Sequence, residues 1–147
     1  VPNKHNGLTF CAGSFSAGEH NDCVAMAKQF ADRTHFVHLR SCYIFPNGNF
    51  TEASHLGGRG HLIDLCRIFE KAEQEGKCNS GRRLPMRVDH GMTFTDEPGG
   101  VFDESNHGHN AGYTLLGRMF AMGQIQGVIA TVDDELGIEY KQPGFYD

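Results

Sequence analysis

Three short segments of this 147-residue chain carry a chemically capable residue at or near what reads as a strand's C-terminal end. Leu8-Thr9-Phe10-Cys11 ends in a thiol, His35 to Ser41 carries His38 and Arg40, and Leu84 to Asp89 carries Arg87 and Asp89. Side chains alternate faces along a strand. Leu8 and Phe10 then share one face, as do Val37 and Leu39, and Met86 and Val88, while Cys11, His38, Arg40, Arg87 and Asp89 take the opposite faces. A parallel strand covered on both sides should be apolar on both. A polar face that recurs in all three segments points instead to a shared interior, into which strand ends present functional groups. A thiolate, an imidazole and a carboxylate together suit a divalent transition ion such as Mn2+, Fe2+ or Zn2+. A cation between them offsets the cost of burying their charge. Arg40 and Arg87 suit an anionic substrate, because guanidinium pairs bidentately with carboxylate. Each residue alone also has a plainer reading: Cys11 as a small buried hydrophobe, His38 as a hydrogen-bonded core residue, Asp89 as a loop cap or the partner of Arg87.

The elements that must position these groups alternate. Strands are expected near 8–11, 35–41 and 84–89, and helices near 21–33, 61–75 and 111–127. Val24, Ala27, Phe30 and Ala31 give the first helix an apolar stripe. Leu62, Leu65, Cys66, Phe69 and Ala72 do the same for the second, and Gly76 is its stop. Ala12 to Gly18 reads as a Gly/Ser loop, Pro46-Asn47-Gly48 lies in a long loop, and a third loop runs from His90 to about His109. The tail from Asp133 has no period, and Asp133-Asp134-Glu135 reads as a solvated acidic turn. Strands alternating with helices imply an α/β fold with a parallel sheet and right-handed crossovers. A complete (β/α)8 barrel takes about 250 residues. Residues 1–147 are therefore read as a single partial domain: an open α/β sheet, or the last three units of a larger barrel.

Composition narrows the class. A formal charge of −5 with mixed signs gives no case for nucleic acid or an anionic membrane. No run approaches the roughly 18 consecutive apolar residues of a membrane helix, and nothing at the start has the pattern of a signal peptide. The five cysteines are odd in number and form no CxxC pair, so reduced thiols in a cytoplasmic protein are expected rather than disulfides or a zinc ribbon. Cys23 and Cys66 fall on helices and read as buried and inert. The nine histidines are the informative excess. His107 and His109 read as solvated, and Gly57-Gly58-Arg59-Gly60 reads as a turn before a helix.

Several motifs recur in one order and spacing: Gly7-Leu8-Thr9-Phe10-Cys11-Ala12-Gly13-Ser14, Phe36-Val37-His38-Leu39-Arg40, Phe50-Thr51-Glu52-Ala53-Ser54-His55-Leu56, Met86-Arg87-Val88-Asp89-His90-Gly91 and Gly112-Tyr113. Over residues 7 to 127 the chain resembles the mannonate dehydratase family. The resemblance implies the C-terminal part of a TIM-barrel lyase of hexuronate breakdown, which converts D-mannonate to 2-keto-3-deoxy-D-gluconate with Mn2+ or Fe2+. By position, Cys11, His38 and Asp89 match the family's metal ligands, and His90 and Tyr113 match residues at the reacting substrate. Arg40, Glu52 and His55 fall in motifs beside the site and, with Arg87, are expected to bind substrate. His90 reaches the site only if the chain bends at Gly91. The implied partners are the substrate and the N-terminal remainder of the barrel, and a homo-oligomer is compatible with the resemblance. The chain departs from the family in three ways. It lacks the earlier strands, including a His-Pro-Asp-Asp-Pro segment that supplies a further ligand. It has Val88 where the family has proline, and its tail does not look like the usual terminal helix. The competing readings are a metal-dependent sugar isomerase or epimerase on a related barrel, and a non-catalytic metal-binding α/β fragment.

Overall fold

The structure is a computed structural model that describes residues 3–94 and 112–140. His107, His109, most of the loop that holds them, the expected helix start at Ala111 and the tail after Tyr140 lie outside the described residues.

Strands β1 (Leu8–Cys11), β2 (Thr34–Leu39) and β5 (Met86–Val88) form a parallel sheet in the order β1-β2-β5. Cys11 stands beside His38, and His38 beside Arg87. The ladder continues one residue past β5, where the Asp89 amide donates to the Leu39 carbonyl at 2.9 Å. Alternation along the strands is as expected: Phe10, Val37, Leu39 and Val88 are buried in the core, while Cys11 and His38 on the other face are half-buried.

Helices α2 (Cys23–Phe30), α3 (Leu62–Gln74) and α4 (Leu115–Leu136) cover the apolar side. Asp22 caps α2, accepting from the amides of Val24 and Ala25 at 3.0 Å each. The expected stripe of α3, from Leu62 through Leu65, Cys66 and Phe69 to Ala72, is its buried side. Phe69 packs edge-on against Phe10 with ring centroids 5.2 Å apart. Each large apolar side chain buried in this way stabilises the fold by roughly 1.5–3 kcal/mol.

Three regions differ from expectation. Ala12–Ser16 is a short helix, α1, not a loop. The loop around Pro46-Asn47-Gly48 is the turn of an antiparallel hairpin between β3 (Cys42–Ile44) and β4 (Phe50–Glu52), closed by Phe45 donating to the Asn49 carbonyl at 2.7 Å. Helix α4 runs nine residues past Gly127 to Leu136 and ends at Gly137, whose φ of +69° forms the left-handed cap. Asp133 is therefore helical and buried rather than part of a solvated turn. Finally, α4 is long and apolar enough to cross a membrane by length and composition alone. No unbroken apolar run announces it, because glycine, glutamine and threonine interrupt the pattern. Its buried residues Ala121, Ile125 and Val132 pack on the core, whereas Leu115, Leu116, Met119 and Phe120 are exposed.

Candidate metal centre

Cys11, His38 and Asp89 arrive from three adjacent strands. Each offers one ligand atom, and these atoms all lie within 4.8 Å of one another. Cys11 closes β1, His38 sits beside it on β2, and Asp89 follows β5 directly. The convergence comes from the parallel register together with alternation, since all three occupy the non-core face. A sulfur, a nitrogen and an oxygen donor at this spacing, with Asp89 only 6% exposed, fit a divalent transition ion.

Asp89 is the most heavily engaged of the three. Its Oδ1 accepts from the Tyr113 hydroxyl at 2.8 Å and from Arg87 Nη2 at 2.6 Å. Burial alone raises its carboxyl, but these two hydrogen bonds, with His90 and His38 nearby, outweigh that and hold it below the ordinary carboxylate range. Asp89 is thus an anion ready for a cation. The same contact acts in reverse on Tyr113, whose phenol is pushed up by burial and by its bond to Asp89.

His90 and Tyr113 meet beside the donors, with ring centroids 4.4 Å apart and planes at 63°. His90 Nε2 lies 3.9 Å from Asp89 Oδ2. At Gly91 two chain segments approach closely. The Gly91 amide donates to the Gly112 carbonyl at 2.8 Å. A Cβ on Gly112, where φ is +85°, would stand 2.5 Å from the Gly91 carbonyl oxygen and 2.9 Å from His90 Cβ. Only glycine permits both the conformation and the contact.

The remaining expected site residues divide. Arg87 reaches the cluster through Asp89 and also donates to the Tyr113 hydroxyl at 3.1 Å. Arg40 instead forks onto Glu52, Nε to Oε2 at 2.9 Å and Nη2 to Oε1 at 2.5 Å. Glu52 Oε1 also lies 3.2 Å from His90 Nδ1. His55 is not brought to the cluster's surface: it is 1% exposed, and its Nε2 lies 2.8 Å from the Leu39 carbonyl. Burial depresses its pKa and favours the neutral ring, so Nε2 is the donor there, and among the described residues Nδ1 has no hydrogen-bond partner. Ser41 was not singled out from sequence. Its Oγ donates to the Gly57 carbonyl at 2.6 Å and accepts from the Gly60 amide at 2.9 Å, which pins the glycine-rich turn that follows the hairpin. A serine at a strand end, ahead of a glycine-rich turn, was the available signal.

The comparisons with known proteins agree with one another. A model of the family described as D-mannonate dehydratase (UxuA) matches residues 1–138. "Mannonate dehydratase 2" of Agrobacterium fabrum is 38% identical over 138 residues, which is 92% of this chain and 33% of that protein. "Mannonate dehydratase" of Saccharophagus degradans is 38% identical over 135 residues, covering 90% of this chain and 32% of the relative. The crystal structure of mannonate dehydratase from Streptococcus suis serotype 2 superposes with a TM-score of 0.70 at 20% identity, over 100% of this chain and 39% of that one. At that identity the likeness speaks to the fold. The chain spans about a third of the length of the curated relatives it matches.

Proposed function

The chain belongs to the D-mannonate dehydratase (UxuA) family, and from that premise we propose that it is the C-terminal part of a metal-dependent lyase that removes water from D-mannonate to give 2-keto-3-deoxy-D-gluconate. Its β1, β2 and β5, with the helices that follow them, are read as the last three units of a (β/α)8 barrel, and residues 1–147 as one partial domain. The observation that carries the proposal is the meeting of Cys11, His38 and Asp89 within 4.8 Å, with His90 and Tyr113 alongside. Cys11, His38 and Asp89 would hold the cation, taken to be Mn2+ or Fe2+. When bound, the cation supplies the Lewis acidity that loosens the proton next to the substrate carboxylate.

The chain's own residues supply the rest of the chemistry. Dehydration needs one group to take the C2 proton and another to protonate the hydroxyl that departs from C3 as water. His90 and Tyr113 are the two proton carriers, with rings in contact and facing the donors. Arg87, on Asp89 and Tyr113 and 42% exposed along its side chain, can also reach an anionic substrate. The Arg40–Glu52 pair stays inside the wall of the site. Bound metal and mannonate turnover, measured on this chain and on a form extended at its N-terminus, test the reading. Loss of mannonate with equal formation of the 2-keto acid by the extended form supports it. Interconversion of sugar isomers without a 2-keto acid favours an isomerase or epimerase. Metal binding with no turnover in either form favours a non-catalytic domain.

A further inference from the structure

We infer that Glu52 is a positioning residue: it fixes the ring of His90 through Nδ1 and turns Nε2 toward the Cys11–His38–Asp89 cluster. The inference rests on the proposed role of His90. Glu52 stands at the end of β4, so the antiparallel hairpin outside the parallel sheet delivers it. Its side chain is 7% exposed and already engaged at both oxygens. The Arg40 fork takes one edge of the carboxylate, at 2.9 and 2.5 Å, and His90 Nδ1 lies 3.2 Å from Oε1. Arg40 fixes the orientation of the carboxylate, and the carboxylate fixes the ring. A neutral imidazole that donates Nδ1–H to a carboxylate keeps its lone pair on Nε2. That nitrogen is the one 3.9 Å from Asp89 Oδ2, on the side where the donors converge.

Packing also holds the ring. The Tyr113 ring meets His90 edge-on at 4.4 Å. A Cβ on Gly112 would stand 2.9 Å from His90 Cβ and 3.2 Å from Glu52 Cγ, so hairpin, histidine and glycine turn are in mutual contact. Glu52 was expected to bind substrate directly, yet the geometry points to an action through His90. The hairpin then has a purpose that its small size does not suggest: it spans Cys42 to Glu52 and places one carboxylate behind one imidazole.

Two readouts test this. In the extended, metal-loaded protein, Glu52→Gln should lower kcat by about 10–100-fold, the range seen when an outer partner of a site residue is lost. KM should stay within about twofold, because no substrate contact is removed, and metal stoichiometry should not change. A raised KM with unchanged kcat would overturn the inference by making Glu52 a substrate contact. Unchanged kcat and KM would overturn it too. The second readout needs no turnover. Long-range 1H–15N spectra of the imidazoles, with His90 assigned through a His90→Asn sample, should show a single tautomer protonated at Nδ1 in the native chain. In Glu52→Gln that tautomer should give way to a mixture or to the Nε2–H form. A native ring protonated at Nε2 overturns the inference even if Glu52→Gln fails to fold. If the native extended protein leaves mannonate untouched, the dehydratase reading falls, while the spectra still decide what Glu52 does.

Discussion

Asp89 concentrates the demands of the site in one side chain. Its Oδ1 is taken by Tyr113 and Arg87, at 2.8 and 2.6 Å, and His90 approaches Oδ2 at 3.9 Å. Asp89→Asn keeps the shape and removes the charge. The amide oxygen can still accept from Tyr113, but a cation at the cluster would lose its carboxylate ligand. Mn2+ affinity, measured by calorimetry, should fall by at least ~100-fold, beyond the roughly 10–100-fold cost of losing an outer partner. Native affinity in that variant would remove Asp89 from the coordination sphere. The convergence of Cys11, His38 and Asp89 was legible in the sequence because alternation is a strict geometric rule. Once Phe10, Val37, Leu39 and Val88 are placed in the core, Cys11, His38 and Asp89 must face the other way. The contacts of Arg40 and His55 were not legible by that rule. Arg40 meets a carboxylate delivered by a separate hairpin, and His55 turns inward onto the Leu39 carbonyl. Neither event has a periodic signature.

Elements were readable where a regular apolar pattern marked them. Helix α3 and strand β1 stand where their patterns placed them, whereas α1 spans only five residues and has no stripe to read. The β3–β4 hairpin had a signal in Asn47-Gly48, where Gly48 takes a φ of +83°, but its strands of three residues each are too short for alternation to show. The end of α4 was misplaced because Gly127, within the helix, was read as its end although the left-handed cap is Gly137. Two glycines give a contrast that can be measured. A Cβ at Gly127 meets nothing within 4 Å, so Gly127→Ala should stabilise the fold by about 0.5–1 kcal/mol through helix propensity. Gly112→Ala must hold a φ of +85° and push into the Gly91 carbonyl, and should cost about 2 kcal/mol or more. It should also part His90 from Tyr113. Urea unfolding of both variants decides the matter, and equal effects would mean that the close approach at Gly112 is not under strain.

At the scale of the molecule, β1 and β5 each have one edge without a strand partner among the described residues, and Leu8 and part of α4 expose apolar surface. A parallel sheet ordinarily buries such surface, which agrees with a chain about a third as long as its relatives. Beside β5, a cavity of about 780 Å3 opens between α3 and α4, and Glu70, Glu73, Arg83 and Asp133 stand among its lining. Burial, then Asp133 and then Glu73, push the Glu70 carboxyl up to about 7, against the opposing charge of Arg83. Asp133 is raised too, chiefly by burial, and among the described residues its Oδ1 has no hydrogen-bond partner. A carboxyl raised on folding binds its proton more tightly in the native state than in the unfolded chain. Its stabilising contribution is complete below the ordinary value of 4.5 and is lost as pH rises through about 7. The urea midpoint of the native chain should therefore fall between pH 5 and pH 8. Glu70→Gln removes the titration while leaving Glu73, Arg83 and Asp133 in place. That variant should be flatter across the same window and more stable at pH 8 by on the order of 1–2 kcal/mol, after allowance for solvent at this partly exposed site. The quantity to read is the difference between the two pH curves. Parallel curves would show that Glu70 ionises freely and that the α3–α4 contact tolerates its charge.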